Sequence, residues 1–101
     1  MDFSKLMQEA NKMQRQMQQA QKELEETLFE VESSGGAIKI SIYGNYHVEK
    51  IDIDEDLIKD ADKEMLEDML LVAMNDALET VTEEANKIGE AMQSKMPNLG
   101  F

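Results

Sequence analysis

The first 24 residues place Phe3, Leu6, Ala10, Met13, Met17, Ala20 and Leu24 at alternating spacings of three and four, an unbroken a/d heptad. Gln, Lys, Arg and Glu fill most of the other positions. A helix of this length measures roughly 36 Å at about 1.5 Å per residue. The three short strands that the next stretch can supply make a sheet only about 23 Å long and some 15 Å wide. Part of the apolar seam therefore overhangs the sheet and must pair elsewhere, with a second helix or with another chain. Such a chain reads as a part of an assembly and not as a closed catalytic pocket.

After this helix, predicted over residues 1–26, the period changes from helical to two. Phe29 and Val31 alternate with Leu28, Glu30 and Glu32 in a first strand, and Ser33-Ser34-Gly35-Gly36 supplies a hairpin turn. Ile38, Ile40 and Ile42 alternate with Lys39, Ser41 and Tyr43 in a second strand, and Gly44-Asn45 turns the chain again. Ile51 and Ile53 face inward in a third. Residues 27–54 thus form an antiparallel three-stranded meander. Residues 55–61 read as an acidic connector whose Leu57 and Ile58 tuck onto the core. Asp62 is placed to cap a second helix over 62–94, with Pro97 ending it and 95–101 forming a tail. The fold class is α+β, one domain over 1–101, in the order α-β-β-β-α.

The second helix carries a continuous face of Leu66, Leu70, Ala73, Ala77, Val81, Ala85, Ile88 and Met92. Within it, Met69, Leu70, Leu71, Val72, Ala73 and Met74 are apolar around the whole circumference. A helix with no polar side is normally covered on every side. One small sheet cannot do that, so these six residues are the expected interface of a homodimer.

The formal charge of −12 is unevenly spread. Residues 1–24 carry Lys5, Lys12, Arg15 and Lys22 against Asp2, Glu9 and Glu23, a balance of +1, and residues 25–101 carry −13. Lys5 and Lys12 fall at heptad position c, Arg15 and Lys22 at f, all opposite the seam. They form either a solvated helix face or a thin basic stripe able to follow phosphates. No cysteine is present, and the single histidine, His47, has no second imidazole to join it. Asp52-x-Asp54-x-Asp56 imitates a calcium loop, but Leu57 and Lys63 stand where that loop needs Gly and Glu. No phosphate loop, nucleophile elbow or zinc motif occurs, so no catalytic, metal or cofactor site is expected and no small-molecule substrate. There is no apolar run long enough to span a membrane. Met1-Asp2-Phe3-Ser4 lacks the layout of a signal peptide, so a cytoplasmic address is expected.

The order of elements, the stretches Leu6-Met7-Gln8 to Met17-Gln18-Gln19, Glu30 to Gly44 and Val48 to Asp54, and Asp62-Lys63-Glu64-Met65-Leu66-Glu67-Asp68 followed by Asn75-Asp76-Ala77 resemble the YbaB/EbfC family of bacterial nucleoid-associated proteins. The ending Met96 to Phe101 is also similar to that family's. The resemblance implies a homodimer with helical arms projecting from a central strand layer, binding double-stranded DNA in the nucleoid and having no catalytic site. It places DNA contact on the outer helices, where this sequence carries Lys5, Lys12, Arg15, Lys22, Lys87 and Lys95. The competing reading is a clasp or chaperone-like dimer of the prefoldin or secretion type, holding other chains with Met-rich arms. Without a helix-turn-helix signal, contact with DNA is expected to be weak and largely with phosphates.

Overall fold

In the computed structural model, which describes residues 2–95 and the side chains up to residue 93, the heptad segment is one helix, α1 (Phe3–Glu26). Asp2 caps it by accepting a hydrogen bond from the Ser4 backbone N–H at 3.0 Å. Thr27 ends it in extended conformation, with its hydroxyl donating to the Glu23 carbonyl at 2.6 Å. The meander follows as β1 (Leu28–Ser33), β2 (Ile38–Tyr43) and β3 (Val48–Ile53), with β2 central and both neighbours antiparallel to it. A single 3-10 turn, Ser34–Gly36, joins the first two strands, with Gly35 and Gly36 in the left-handed region that glycine tolerates.

The alternation places Ile38, Ile40 and Ile42 on one face, each at most 1 % exposed. The register carries one irregularity. Ser41 pairs with Lys50 and Ile42 with Val48, so Glu49 is the extra residue of a bulge. Strict alternation would turn Glu49 toward the core; the bulge brings Val48 there instead, and Val48 packs against the isoleucines.

Two features of the connector differ from the sequence expectation. Residues Glu55–Asp60 form a short helix, α2, capped by Asp54, whose carboxylate accepts from the Asp56 N–H at 3.3 Å. The order is therefore α-β-β-β-α-α. Leu57 packs on the core as expected, but Ile58 points outward and is 56 % exposed. A six-residue helix has room for one inward position, and Leu57 takes it.

The last helix, α3 (Lys63–Lys95), begins where Asp62 accepts from the Met65 N–H at 2.8 Å. Its Ala73, Ala77 and Val81 complete the core against β2. Two side-chain bonds fix its direction. Near its middle, the Ser33 hydroxyl donates to the Asp76 carboxylate at 3.2 Å. Farther on, Tyr46 and Thr82 share a bond of 2.7 Å at the opposite end of the sheet. The helix thus runs across the sheet from the Ser33 end to the β2–β3 turn and continues beyond it.

α1 reaches the sheet at that same turn, coming from the other direction. Gly44 N–H donates to the Thr27 carbonyl at 3.0 Å, and Gly44 is buried against the last turn of α1. A Cβ on Gly44 would collide with the Leu24 carbonyl, so the close approach requires glycine. The two long helices therefore leave the sheet side by side and antiparallel. The radius of gyration is 19.9 Å and the longest dimension 69 Å, against about 13 Å for a compact domain of this size. The chain is a small sheet domain with a long helical arm. The expected stop at Pro97 and the tail lie outside the described residues.

Candidate nucleic-acid interface

The arm is built from α1 and the second half of α3. Met13, Ala20 and Leu24 of the heptad are half-buried, and a groove of about 350 Å³ at the arm's base is lined by Ala20, Leu24, Phe29, Glu84, Lys87 and Ile88 among others. Counting outward from Thr82 at about 1.5 Å per residue, α1 extends beyond Lys95 by roughly 15 Å. Exposure agrees: Phe3, Leu6 and Met7 are 73, 40 and 46 % exposed. The overhang that helix length demanded is present in the fold.

Lys5, Lys12, Arg15 and Lys22 are all exposed on the side of α1 away from α3. None of the four makes an ion pair with a described residue. From Lys5 to Lys22 the stripe extends about 26 Å along the helix axis. Ser4, Gln8, Asn11 and Gln19 share this face, and all are exposed. They carry hydroxyl and amide groups able to bond phosphate oxygens, and they add no negative charge. Sequence reading by charge alone missed these four; a helical wheel of residues 4–22 shows them.

Lys87 is placed differently. Its ammonium lies 3.0 Å from Glu84, one turn back on the same helix. The hydrogen bond and the charge of Glu84, with Glu83 adding to them, raise its pKa above the usual lysine range. Lys87 is charged but already answered by acids at the arm's base, so it does not extend the free basic stripe. The pair was legible as Glu84 and Lys87 at i and i+3. The Lys95 side chain lies outside the described residues.

The six residues expected to close a dimer separate into two groups. Ala73 is 1 % exposed in the chain's own core, and Met69, Leu70 and Met74 are partly buried against it. Only Leu71 and Val72 are open, at 61 and 53 %. The isoleucine face of β2 buries Ala73 and part of Met69, Leu70 and Met74, so one side of this segment is covered within the chain itself. Met65, 51 % exposed, lies seven residues before Val72, and Leu78, 39 % exposed, seven after Leu71, so the open apolar residues of α3 form two strips on either side of Asp68, Asn75 and Glu79. Ile51 of β3 is 45 % exposed instead of packed. Ile51 is open because α3 lies over β1 and β2 and leaves the inner side of the β3 edge uncovered.

His47 is exposed at the β2–β3 turn, its ring 6.2 Å from that of Tyr43. Among the described residues no three His, Cys, Asp or Glu side chains gather as metal ligands, and no helix is long and apolar enough to cross a membrane.

The model of the YbaB/EbfC DNA-binding family matches residues 1–96. A nucleoid-associated protein of Neisseria meningitidis serogroup C is 44 % identical over 98 residues, covering 94 % of this chain and 88 % of that protein. Another, from Rickettsia prowazekii, is 38 % identical over 101 residues, covering 99 % and 94 %. Among solved structures, that of an uncharacterized Helicobacter pylori protein superposes with a TM-score of 0.70 at 28 % identity, covering 92 % of this chain and 98 % of that one.

Proposed function

Because the chain belongs to the YbaB/EbfC DNA-binding family, we propose that it acts in the bacterial nucleoid as a homodimer that grips duplex DNA through the phosphates along α1. The observation that carries this reading is the unpaired stripe of Lys5, Lys12, Arg15 and Lys22 on a projecting helix, in a chain otherwise strongly acidic. A duplex approaching the sheet body meets repulsion; approaching the outer face of the arm, it meets cations and neutral amides. The charge distribution thus directs DNA to the arm. A stripe of cations spread along the helix follows the backbone, so binding is nearly independent of sequence.

The test is a titration of duplex binding against salt. Two copies present eight stripe cations, of which about four can engage one duplex at once. Each phosphate contact contributes about 0.9 to the negative slope of log affinity against log salt, so the slope should be about −4. A slope near zero would remove phosphate contact from the account.

The dimer surface that the fold favours is the outer face of α3, where Met65, Leu71, Val72 and Leu78 stand exposed. Met65 with Val72 and Leu71 with Leu78 form two apolar strips that flank Asp68, Asn75 and Glu79, and such a surface is what an interface with a polar centre covers. Replacing Leu71 and Val72 together with Asp should convert the protein to monomers without unfolding it. Both side chains are already open to water in the single chain, whereas in an interface they would become buried unpaired charges. Light scattering reads the mass and circular dichroism the helix content; a double variant still of dimeric mass would relocate the interface.

A further inference from the structure

The apolar seam of α1 has two shoulders, and α3 covers only one. The d positions Met13 and Ala20 turn toward α3 and are half-buried. The a and e positions, Phe3, Met7, Ala10, Gln14, Met17 and Gln21, form a second shoulder that stays open, with Phe3, Met7 and Met17 at 73, 46 and 42 % exposure. This strip contains no charged residue over its whole length, in a chain of net charge −12. From this geometry we infer that the open shoulder pairs with the same shoulder of a second copy, antiparallel and centred on Ala10, joining one dimer to another.

Three observations select a second copy as the occupant. The first is spacing. An antiparallel pair crossing at Ala10 sets Phe3 of each copy opposite Met17 of the other, because both lie seven residues from the centre. The small Ala10 side chains permit close approach at the crossing, and a ring meeting a thioether at each end is a favourable contact. The second is shape. A shallow depression of about 250 Å³ is lined by Gln14, Met17, Gln18 and Gln21, where the opposite Phe3 would arrive. The third is charge. Two copies of so acidic a chain repel over most of their surfaces, and this strip is a place where they meet without repulsion. The strip offers DNA no cation, since all four stand on other sides of the helix.

The consequence rests on the DNA-binding reading above. Arms paired by this shoulder turn their basic stripes outward, away from each other. Each stripe then faces its own duplex, and two dimers joined at the arms bridge two duplexes.

The chain has no cysteine, which makes the test clean. An Ala10→Cys variant of the full chain, oxidised mildly, should yield a covalent pair of chains whose native mass is twice that of the parent dimer. Gln19→Cys, on the basic face, should not. The Phe3→Gln, Met17→Gln double variant keeps the net charge. It should bind a single labelled duplex within about twofold of the parent, because the phosphate contacts are untouched. Capture of that duplex by a second, immobilised duplex should fall about tenfold once the apolar contacts are gone. Absence of the crosslink at position 10 overturns the inference. So does a crosslinked product that stays at two chains, which would make the shoulder the primary dimer interface. Loss of holdase activity toward an unfolding client in Phe3→Gln, Met17→Gln, with no crosslink at position 10, would assign the strip to client chains instead. Failure of the DNA-binding reading looks different: the parent would not shift a single duplex, whatever the crosslink shows.

Discussion

Replacing Lys12 and Arg15 together with Glu should lower affinity for duplex DNA by about 100-fold near 0.1 M salt, where each lost phosphate contact costs about 0.9 log unit. Two of about four contacts disappear, and the new carboxylates repel what remains. The salt slope should fall from about −4 to about −2. Both positions are exposed on the face of α1 turned from α3. Helix content and mass should therefore match the parent. Gel shift at several salt concentrations, beside circular dichroism and light scattering, separates loss of the stripe from loss of the fold. Binding equal to the parent's would mean that the four cations are only a solvated helix face.

The second large effect is expected at Gly44, which makes no contact with DNA in the proposed mode. Gly44→Ala should destabilise the protein by about 3 kcal/mol, as overpacking of a closed site does. The added methyl group would meet the backbone carbonyl of Leu24, which cannot swing aside as a side-chain tip can. The chain must either lift α1 from the β2–β3 turn or distort the turn and its Gly44 to Thr27 hydrogen bond. A loss of this size is a substantial part of the stability of a domain of about 100 residues. Chemical denaturation measures it; an unchanged midpoint would show that α1 does not dock there in solution.

Those two predictions show where sequence reasoning succeeds and where it stops. The heptad, the period-two strands and the Asp62 cap are repeated local signals, and each appears in the fold at nearly the expected residues. The cations of α1 were legible for the same reason, since heptad position alone sets which side they occupy. The Glu49 bulge, the short α2 and the exposure of Ile51 and Ile58 depend on how elements meet. Val48 replaces Glu49 inside because the ladder slips by one residue, which alternation cannot anticipate. Ile51 keeps the right face and is still open, because α3 crosses only part of the sheet. The six apolar residues 69–74 divide by the same gap: Ala73 is apolar for its own core, and only Leu71 and Val72 face outward. Gly44 reads in the sequence as an ordinary turn residue, and its tight seat under Leu24 emerges only when α1 is in place.

That seat gives the arm the mechanics of a beam clamped at one end. Its first ten or so residues extend beyond the described part of α3, so the angle at the Gly44 clamp is multiplied along the lever. A rotation of about 5° there sweeps the free end of a 36 Å beam through roughly 3 Å. That sweep is comparable with the axial rise of about 3.4 Å between phosphates on one strand. A reader of base edges needs tolerances of tenths of an ångström and could not be mounted on such a support. Point charges following a polyanion can be, because a displaced cation exchanges one phosphate for its neighbour at little cost. The compliance of the mounting and the reliance on point charges therefore point to the same indifference to sequence.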